Sequence, residues 1–587
     1  MVLAACAPSV RRPGADALPL PAGAAQQGGT PGMHRQMVAA AHPLAAAAGQ
    51  RVLRAGGSAV DAAIAVQMML SLVEPQSSGI GGGAFLMVWD GQVVKAWDGR
   101  ETAPSGVTQS LFLRPDGQAM SFAEAAVGGR SVGVPGVVRM LHDAHGRHGR
   151  LPWAQLFAPA IEAAEAGFVV SPRLHEAIKG DPHLSRSEGA RKYFFDSLGQ
   201  PWPVGHTLRN PALAQILRAI AQHGPAAFYG DSIAQDMVAR IRQHPTNPGF
   251  MTPADLQGYR SVLRSALCTP WESVRVCGFP PPSSGHLTMM QILGMLSAMD
   301  MKVPTRWVGA SDDPAEVEWA HRYIEASKLA YADRARYIAD PEFVAPPAGN
   351  WSAMVDSRYL ASRAQLIGQR AMSAATAGEP AGQRTAWGDA PPQWELGTSH
   401  ISVVDRWGHV VAMTTTVEAV WGSRILADGG TGLPGGYILN NQLTDFSFSP
   451  RDAQGRWIAN RVEPGKRPRS SMNPTLVFGS ESTGPILSLG SPGGAVIIHY
   501  TTKAILLHLQ ARADLPTSIS SANLANLNGP TQVERGRYSA AFIDALKRRG
   551  HTVQEADLVS GTQAISRQGS GWWGAADPRR EGVALGH

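Results

Sequence analysis

The feature that most constrains the fold of this chain is an abrupt change of sequence character near residue 396. Residues 375–395 are rich in Ala, Gly, Pro and Gln and show no periodicity, which predicts an exposed linker that tolerates cleavage. The segments 400–405, 410–416 and 475–478 then alternate or run apolar with β-branched residues, which predicts strands. A change of pattern at one linker, after which strands are predicted, favours a fold with layers of helices and sheets.

Helical patterns surround these strands in the sequence. They cover residues 43–54, 59–72, most of 130–335, 494–510 and 537–549. Ser58 is a suitable N-cap for the second of these helices, and Pro43 falls in a first turn, where proline is tolerated. Strands in the middle of the pattern with helices on both sides predict an α/β sandwich.

A glycine-rich stretch, Gly79-x-Gly81-x-x-Ala84, is close to the fingerprint of a dinucleotide site. That fingerprint must follow a strand and open a helix. Here the stretch follows a helix and opens the apolar run 85–90. We therefore interpret these glycines as a tight turn with close packing rather than as a nucleotide site.

Composition excludes several classes of protein. The 587 residues are 44% hydrophobic with a net charge of +6, which is ordinary for a folded chain and unlike a disordered one. The basic residues are scattered, and the sharpest cluster, 547–549, lies at a predicted helix end, where cations are normal. Basic patches interleaved with aromatic residues are absent, so no nucleic-acid partner is expected.

The three cysteines allow two interpretations each. Cys268 and Cys277 flank a predicted hairpin and form either a cross-strand disulfide or two buried free thiols. Cys6 ends Leu3-Ala4-Ala5-Cys6, which looks like the cleavage box of a bacterial lipoprotein signal, although no charged or apolar region precedes it. Residues 1–32 would then be a truncated signal with a tether, and the protein a periplasmic or extracytoplasmic lipoprotein. The alternative is a chance match.

No zinc site is expected, because Cys-x-x-Cys is absent and His175-Glu176 lacks a second histidine at the right spacing.

A lone Thr398 at the start of a strand would by itself indicate no particular function. Its neighbourhood, however, is one of a series of collinear motifs that resemble the γ-glutamyltransferase family. These are Gly56-Gly-Ser-Ala-Val-Asp-Ala-Ala63, Glu74-Pro-Gln-Ser-Ser-Gly-Ile-Gly-Gly-Gly83, Asp98-Gly-Arg-Glu-Thr-Ala-Pro104, Pro280-Pro-Pro-Ser-Ser-Gly285, Gly397-Thr-Ser-His-Ile-Ser-Val-Val-Asp405, Thr414-Thr-Thr416, Asn440-Asn-Gln-Leu-Thr-Asp-Phe446, Lys466-Arg-Pro-Arg-Ser-Ser-Met472, Gly490-Ser-Pro-Gly-Gly494 and Ala575-Ala-Asp-Pro-Arg579.

The resemblance spans about residues 33–580 and implies the four-layer αββα sandwich of N-terminal-nucleophile hydrolases. It also implies that Thr398 attacks the carbonyl of Gly397 and cuts the chain there. Residues 33–397 would become the large subunit, and residues 398–587 the small catalytic subunit of a heterodimer. The new α-amine, with an ordinary pKa of about 7.7–8.0, could then accept the proton of the Thr398 hydroxyl.

Further roles carry over by position. Thr416 matches a threonine that hydrogen-bonds the nucleophile, and Gly493 and Gly494 match an oxyanion hole. The remaining matches are substrate-binding: Arg100, Ser470 and Ser471 for the α-carboxylate, and Gln442, Asp445 and Glu418 for the α-ammonium. Two positions depart from the family, since many relatives have Asn in place of Glu418 and a second Thr in place of Ser399.

The implied function is a self-processing γ-glutamyltransferase or glutathione hydrolase, which passes the γ-glutamyl group to water, an amino acid or a peptide. No metal or organic cofactor is implied. One alternative is a cephalosporin or glutaryl acylase, in which Asp445 and Glu418 would be buried charges without partners. Another is a non-catalytic binding homologue. The segment 446–465 is a candidate lid, which the sequence leaves open.

Overall fold

The structure is a computed structural model, and it describes residues 34–305, 307–382, 385–391 and 397–587. The predicted tether 1–32, with Cys6, lies outside the described residues.

The helices are numbered in chain order. They are α1 (Pro43–Arg54), α2 (Ala59–Val73), α3 (Phe122–Ala126), α4 (Val137–His148), α5 (Ala158–Ala166), α6 (Pro172–Gly180), α7 (Glu188–Phe194), α8 (Pro211–His223), α9 (Pro225–Tyr229), α10 (Ser232–Arg242), α11 (Pro253–Gly258), α12 (Gly285–Ala298), α13 (Pro314–Tyr337), α14 (Ser357–Ala364), α15 (Ile497–Ile505), α16 (Leu515–Ser520) and α17 (Ala540–Arg548).

The strands are numbered in the same way. They are β1 (Met37–Ala40), β2 (Gly83–Trp89), β3 (Val94–Gly99), β4 (Phe168–Val169), β5 (Thr207–Leu208), β6 (Val262–Ser265), β7 (Leu267–Trp271), β8 (Val274–Gly278), β9 (Gly397–Val404), β10 (Val410–Glu418), β11 (Leu426–Ala427), β12 (Tyr437–Ile438), β13 (Thr475–Gly479), β14 (Pro485–Gly490), β15 (Leu524–Asn526), β16 (Thr531–Glu534), β17 (Val553–Ala556), β18 (Gln563–Gln568), β19 (Gly571–Ala576) and β20 (Val583–Gly586).

Two large antiparallel sheets form the centre of the molecule. The first has the order β20-β1-β9-β10-β2-β3-β6, and the second β19-β18-β14-β13-β8-β7. Each sheet contains strands from before and after residue 397. The regions on the two sides of the predicted cleavage site are therefore interleaved, as the resemblance implies.

The side chains divide into layers because successive strand residues point to opposite faces. Between the two sheets lies a core that includes Phe85, Val410 and Phe478. The outer face of the first sheet packs against a helical layer that includes α2 and α8, and the outer face of the second against α12, α13 and α15. The predicted four-layer αββα sandwich is confirmed.

The local predictions hold in most places. Ser58 caps α2 through a capping box with Asp61, and the glycine-rich stretch leads directly into β2 rather than into a helix. The helix predicted over 494–510 is divided, with a 3₁₀ turn at Gly494–Val496 before α15 and a π-helical turn at Leu506–Gln510 after it. Cys268 and Cys277, left open between a disulfide and free thiols, are joined in a disulfide across β7 and β8.

The predicted exposure of the linker is wrong for part of it. Ala375 and Ala390 are buried. The backbone N–H of Gly378 donates to Asp333, and that of Gly388 donates to the Trp457 carbonyl. Small residues let these positions lie close against α13 and the 446–465 segment, while other positions of the linker, such as Glu379 and Asp389, are exposed as predicted. Residues 383–384 and 392–395 lie outside the described residues.

Within the described ranges, no helix combines the length and the apolar character needed to cross a membrane.

Candidate active site

The predicted nucleophile lies at the start of β9, next to β10. The register between these strands shifts between Thr415 and Glu418, so a bulge locally re-aims the side chains. The Thr398 hydroxyl contacts the Gly397 carbonyl oxygen and lies 3.3 Å from the Thr416 hydroxyl oxygen. Thr416 in turn donates to the Gly397 carbonyl at 2.6 Å and accepts from the Glu418 N–H. The carbonyl before Thr398 is therefore in contact with two hydroxyls.

Close packing explains the glycine at position 397. A Cβ atom there would lie 2.8 Å from the backbone of Glu418 and of Ala419. A side chain would push β9 away from β10 and separate the two threonines. The glycine thus allows the approach on which the hydroxyl–carbonyl contacts depend.

The loop with the predicted oxyanion hole leaves the second sheet close to the nucleophile strand. Ser402 on β9 and Ser488 on β14 share a hydrogen bond of 2.9 Å, so β14 crosses directly over the nucleophile strand. Gly493 and Gly494 follow the end of β14 and have φ angles of 130° and 60°, which favour glycine. The Tyr331 hydroxyl donates to the Ala495 carbonyl and holds the loop from the other side.

Residues predicted to bind the carboxylate and the ammonium meet in one buried cluster of polar side chains. Arg100, at the end of β3, donates from Nε to the Pro468 carbonyl and from Nη2 to the Arg469 carbonyl. Its guanidinium also forms a direct ion pair with Asp445, which accepts a further hydrogen bond from Gln442 Nε2 at 2.7 Å. These side chains are almost fully buried, and each is held by the others.

In the absence of a substrate, Asp445 already has a charged partner, because Arg100 forms an ion pair with it. Asp445 would lose that partner only if a bound acyl group with a carboxylate and no ammonium took Arg100. Glu418 likewise accepts from the Asn441 side-chain amide. The pairing arises because residues 345 positions apart in the sequence meet at one pocket wall.

Ser470 and Ser471 lie beside the Pro280–Gly285 turn. The Ser284 N–H and hydroxyl both donate to the Ser470 carbonyl at 2.7 Å. Arg334 Nη2 donates to the Ser471 hydroxyl at 2.6 Å. The turn thus holds the Ser470 backbone, α13 holds the Ser471 hydroxyl, and the Ser470 hydroxyl accepts from the Met472 N–H at 3.1 Å.

Glu101 is a further member of this pocket. Its carboxylate lies 3.8 Å from Arg100 Nη1, and within the described residues neither of its oxygens has a hydrogen-bond partner. Burial, opposed by the charge of Arg100, raises the pKa of Glu101 to about 8. The group is therefore mainly protonated at neutral pH, and the pocket avoids a third negative charge.

Sequence reasoning assigned no role to several residues that contact the site. Glu101 and Asn441 occur within motifs of the family resemblance, which gave them no role of their own, while Arg334 lies outside all of these motifs. Arg580 donates from Nη1 to the Thr398 carbonyl at 3.0 Å, yet it follows the last quoted motif by one residue. A charged residue directly after a collinear motif was the signal that could have drawn attention to Arg580.

The candidate lid is a folded segment that is tied to the pocket. Asn460 donates to the Asp445 carbonyl at 2.7 Å and accepts from the Arg469 N–H. The same segment pairs with the linker through Gly388 and Ile458. Segment 446–465 therefore supports the wall that carries Asp445.

In the part of the chain that the structure describes, one group of side chains has ligand types suited to a metal: His321, Glu325 and His551. His321 Nδ1 lies 2.8 Å from His551 Nε2, and its Nε2 lies 3.0 Å from the Gly368 carbonyl oxygen. Lys328 Nζ lies 2.8 Å from Glu325. A hydrogen-bonded cluster with an internal cation accounts for these contacts, and sequence spacing could not reveal it because His551 comes from a distant segment.

Two sheets between helical layers, with a glycine–threonine pair opening a central strand, define an N-terminal-nucleophile hydrolase. More specifically, the chain belongs to the gamma-glutamyltranspeptidase family, whose model matches residues 45–587. A Bacillus subtilis protein named glutathione hydrolase proenzyme is 34% identical, with 94% of this chain and 91% of that protein covered.

Solved structures agree with this assignment. A cephalosporin acylase from Bacillus halodurans has a TM-score of 0.79 at 25% identity, with 94% of this chain and 96% of that chain covered. A gamma-glutamyltranspeptidase from Helicobacter pylori has a TM-score of 0.51 at 28% identity, and covers 59% of this chain and 94% of its own.

Proposed function

We propose that this protein is a self-processing γ-glutamyltransferase that cleaves the γ-glutamyl amide of glutathione and related compounds. The acyl group passes through an ester on Thr398 to water, an amino acid or a peptide. The name of the Bacillus subtilis relative supports glutathione as the donor. The local geometry supports Thr398 as the nucleophile.

Self-cleavage starts from the contacts around Gly397. The Thr398 hydroxyl oxygen attacks the Gly397 carbonyl carbon, while Thr416 donates a hydrogen bond to the carbonyl oxygen on which negative charge develops. The hydroxyl proton passes to the Thr398 nitrogen, the C–N bond breaks, and an ester remains between Gly397 and the Thr398 oxygen. Water hydrolyses this ester and leaves a free Thr398 α-amine and hydroxyl.

Turnover uses the groups that cleavage releases. The neutral α-amine accepts the hydroxyl proton as the Thr398 oxygen attacks the γ-carbonyl carbon of the substrate. The backbone N–H groups of Gly493 and Gly494 stabilise the oxyanion. The leaving amine takes the proton, and water or an acceptor amine then attacks the γ-glutamyl ester and regenerates Thr398.

The Arg100–Asp445 ion pair carries the assignment of the substrate. A γ-glutamyl head group has one α-carboxylate and one α-ammonium, so it can exchange with the pair and leave every charge matched. Arg100, Ser470 and Ser471 receive the carboxylate, while Asp445, Gln442 and Glu418 receive the ammonium. A glutaryl group would take Arg100 and leave Asp445 buried without a cation, which is costly.

The chain would divide into a large subunit ending at Gly397 and a small subunit starting at Thr398. Both sheets contain strands from each side of this bond, so the two products remain a heterodimer without a covalent link. Residues 1–32 would precede the folded part of the large subunit as a tether.

An extracytoplasmic location is supported by the Cys268–Cys277 disulfide, since such bonds persist in oxidising compartments. A lipid anchor at Cys6 is supported by the sequence Leu3-Ala4-Ala5-Cys6 alone. Metabolic labelling with a fatty acid, compared between the full-length protein and Cys6→Ser, tests the anchor. Cell fractionation tests the compartment.

The central experiment combines intact mass with substrate competition. We expect two chains divided between Gly397 and Thr398, and a kcat/KM for a γ-glutamyl anilide at least about tenfold above that for the matched glutaryl anilide, because a tenfold ratio needs only about 1.4 kcal/mol. A preference for the glutaryl compound would identify an acylase. An uncut, inactive chain would support a non-catalytic binding protein.

A further inference from the structure

A buried cation lies directly behind the nucleophile. Arg580 follows β19, is 8% exposed, and donates to the Thr398 carbonyl oxygen at 3.0 Å. Its Cδ atom and the Pro492 ring both lie close to Gly561, because a Cβ at Gly561 would lie 2.5 Å from Arg580 Cδ and 2.7 Å from Pro492 Cγ. Arg580 therefore contacts the nucleophile residue and shares Gly561 as a neighbour with the loop that leads to Gly493.

This cation is not matched by a close anion. Within the described residues, no carboxylate lies within 4.0 Å of the Arg580 guanidinium, and Nε has no hydrogen-bond partner. The adjacent Arg579, in contrast, is paired with Glu534 and Asp577. A buried charge without a partner costs stability, which indicates that its position serves the site.

We propose that Arg580 is a positioning residue that holds the Thr398 backbone and keeps the α-amine of mature Thr398 neutral at working pH. This inference rests on the proposed function. The α-nitrogen and carbonyl oxygen of one residue are about 3 Å apart, so the guanidinium lies within about 6 Å of the amine. At that range a positive charge opposes protonation of the amine and lowers its pKa. A neutral amine is the form that can accept the Thr398 hydroxyl proton.

Several other charged groups lie around this point. Glu74 accepts from Ser399 and pairs with Arg173, while Asp577 pairs with Arg579. Further groups facing the region are Glu581, whose carboxylate accepts from the Arg173 N–H, Tyr500, and Glu418, which lies opposite Gly397 in the strand register. Because Glu74 and Asp577 are each paired with another arginine, neither of them cancels the positive charge that Arg580 places behind Thr398.

The test compares wild type, Arg580→Gln and Arg580→Lys after confirming cleavage of each by intact mass. Removing the charge should raise the amine pKa, so the acid limb of the kcat/KM profile should move up by about one pH unit in Arg580→Gln. Arg580→Lys retains the charge, so its acid limb should lie at the wild-type position. Its kcat should be lower, because the hydrogen bond to the Thr398 carbonyl is altered. Superimposable limbs in wild type and Arg580→Gln would overturn the inference.

A second measurement does not depend on folding of a variant. The rate at which an amine reagent labels the Thr398 N-terminus of cleaved wild type, followed against pH by peptide mass, gives the amine pKa directly. We expect a value below the ordinary range of about 7.7–8.0. A value within or above that range would refute the role of Arg580. An uncut wild-type chain would instead refute the proposed function.

Discussion

The nucleophile centre and the acyl pocket are neighbours on one sheet, yet they are built from different interactions. Thr398, Thr416 and Gly397 meet through hydroxyls and a backbone carbonyl, on strands whose approach depends on a glycine. The proposed acyl pocket is a buried set of charged side chains around the Arg100–Asp445 pair, and Arg100 follows β3, which is separated from β9 by β10 and β2. The first region should be sensitive to sub-ångström geometry, and the second to the balance of charge.

The largest expected effect comes from removing the nucleophile. Thr398→Ala should abolish self-cleavage and lower turnover by about 10³-fold or more, because no other group can form the ester. Intact mass and anilide turnover measure both. Thr398→Ser, the matched control, retains a hydroxyl and should still cleave, more slowly. Normal turnover by uncut Thr398→Ala would place the chemistry outside the nucleophile centre.

Thr416 sharpens the comparison within the uncharged region. Thr416→Val keeps the shape but removes the donor to the Gly397 carbonyl, so self-cleavage should slow by about 10²–10³-fold, as when one oxyanion donor is lost. Thr416→Ser should recover most of the rate. The measurement is the half-time of self-cleavage, followed by gel electrophoresis of freshly purified precursor. Equal half-times for Thr416→Val and wild type would show that the hydrogen bond from Thr416 has no catalytic role.

Arg100 tests the charged region in a complementary way. Arg100→Lys retains the charge but loses the planar fork that contacts Asp445 and two carbonyls, so kcat/KM for a γ-glutamyl donor should fall about 10²-fold, mainly through KM. Self-cleavage should remain close to normal, because it does not use the acyl pocket. Steady-state kinetics measures the effect on donor turnover, and intact mass measures self-cleavage. An Arg100→Lys chain that fails to cleave would show that the two regions do not act separately.

Sequence reasoning succeeded where the signal was local or collinear. Alternating or apolar runs with β-branched residues predicted β9 and β10, the Ser58 cap predicted the start of α2, and ordered motifs brought Thr398, Arg100 and the glycine pair into one hypothesis. It failed where the outcome depended on long-range packing. The burial of Ala390 and the Arg100–Asp445 pairing depend on which segments the fold brings together, and local composition carries no record of that.

Glu101 gives the smallest expected effect on turnover, and its main effect is on the pH dependence of stability. Its pKa is about 8 in the folded protein against 4.5 ordinarily, so between these values the unfolded chain is ionised while the folded one stays protonated. The free energy of unfolding should therefore fall with pH across this window by about 1.4 kcal/mol per unit, with no further loss above it.

Glu101→Gln cannot ionise and should lack this slope, so its stability advantage over wild type should grow from pH 5 to pH 8. Thermal or denaturant unfolding of the cleaved proteins at each pH measures the difference. Because glutamine keeps the neutral form of the side chain, donor KM at pH 7 should change less than about threefold, within the range of a weak interaction. Parallel stability curves for the two proteins would mean that Glu101 is already ionised beside Arg100 in the folded protein. The acyl pocket would then hold a third negative charge beside Asp445 and Glu418, and its contrast with the uncharged nucleophile centre would be larger.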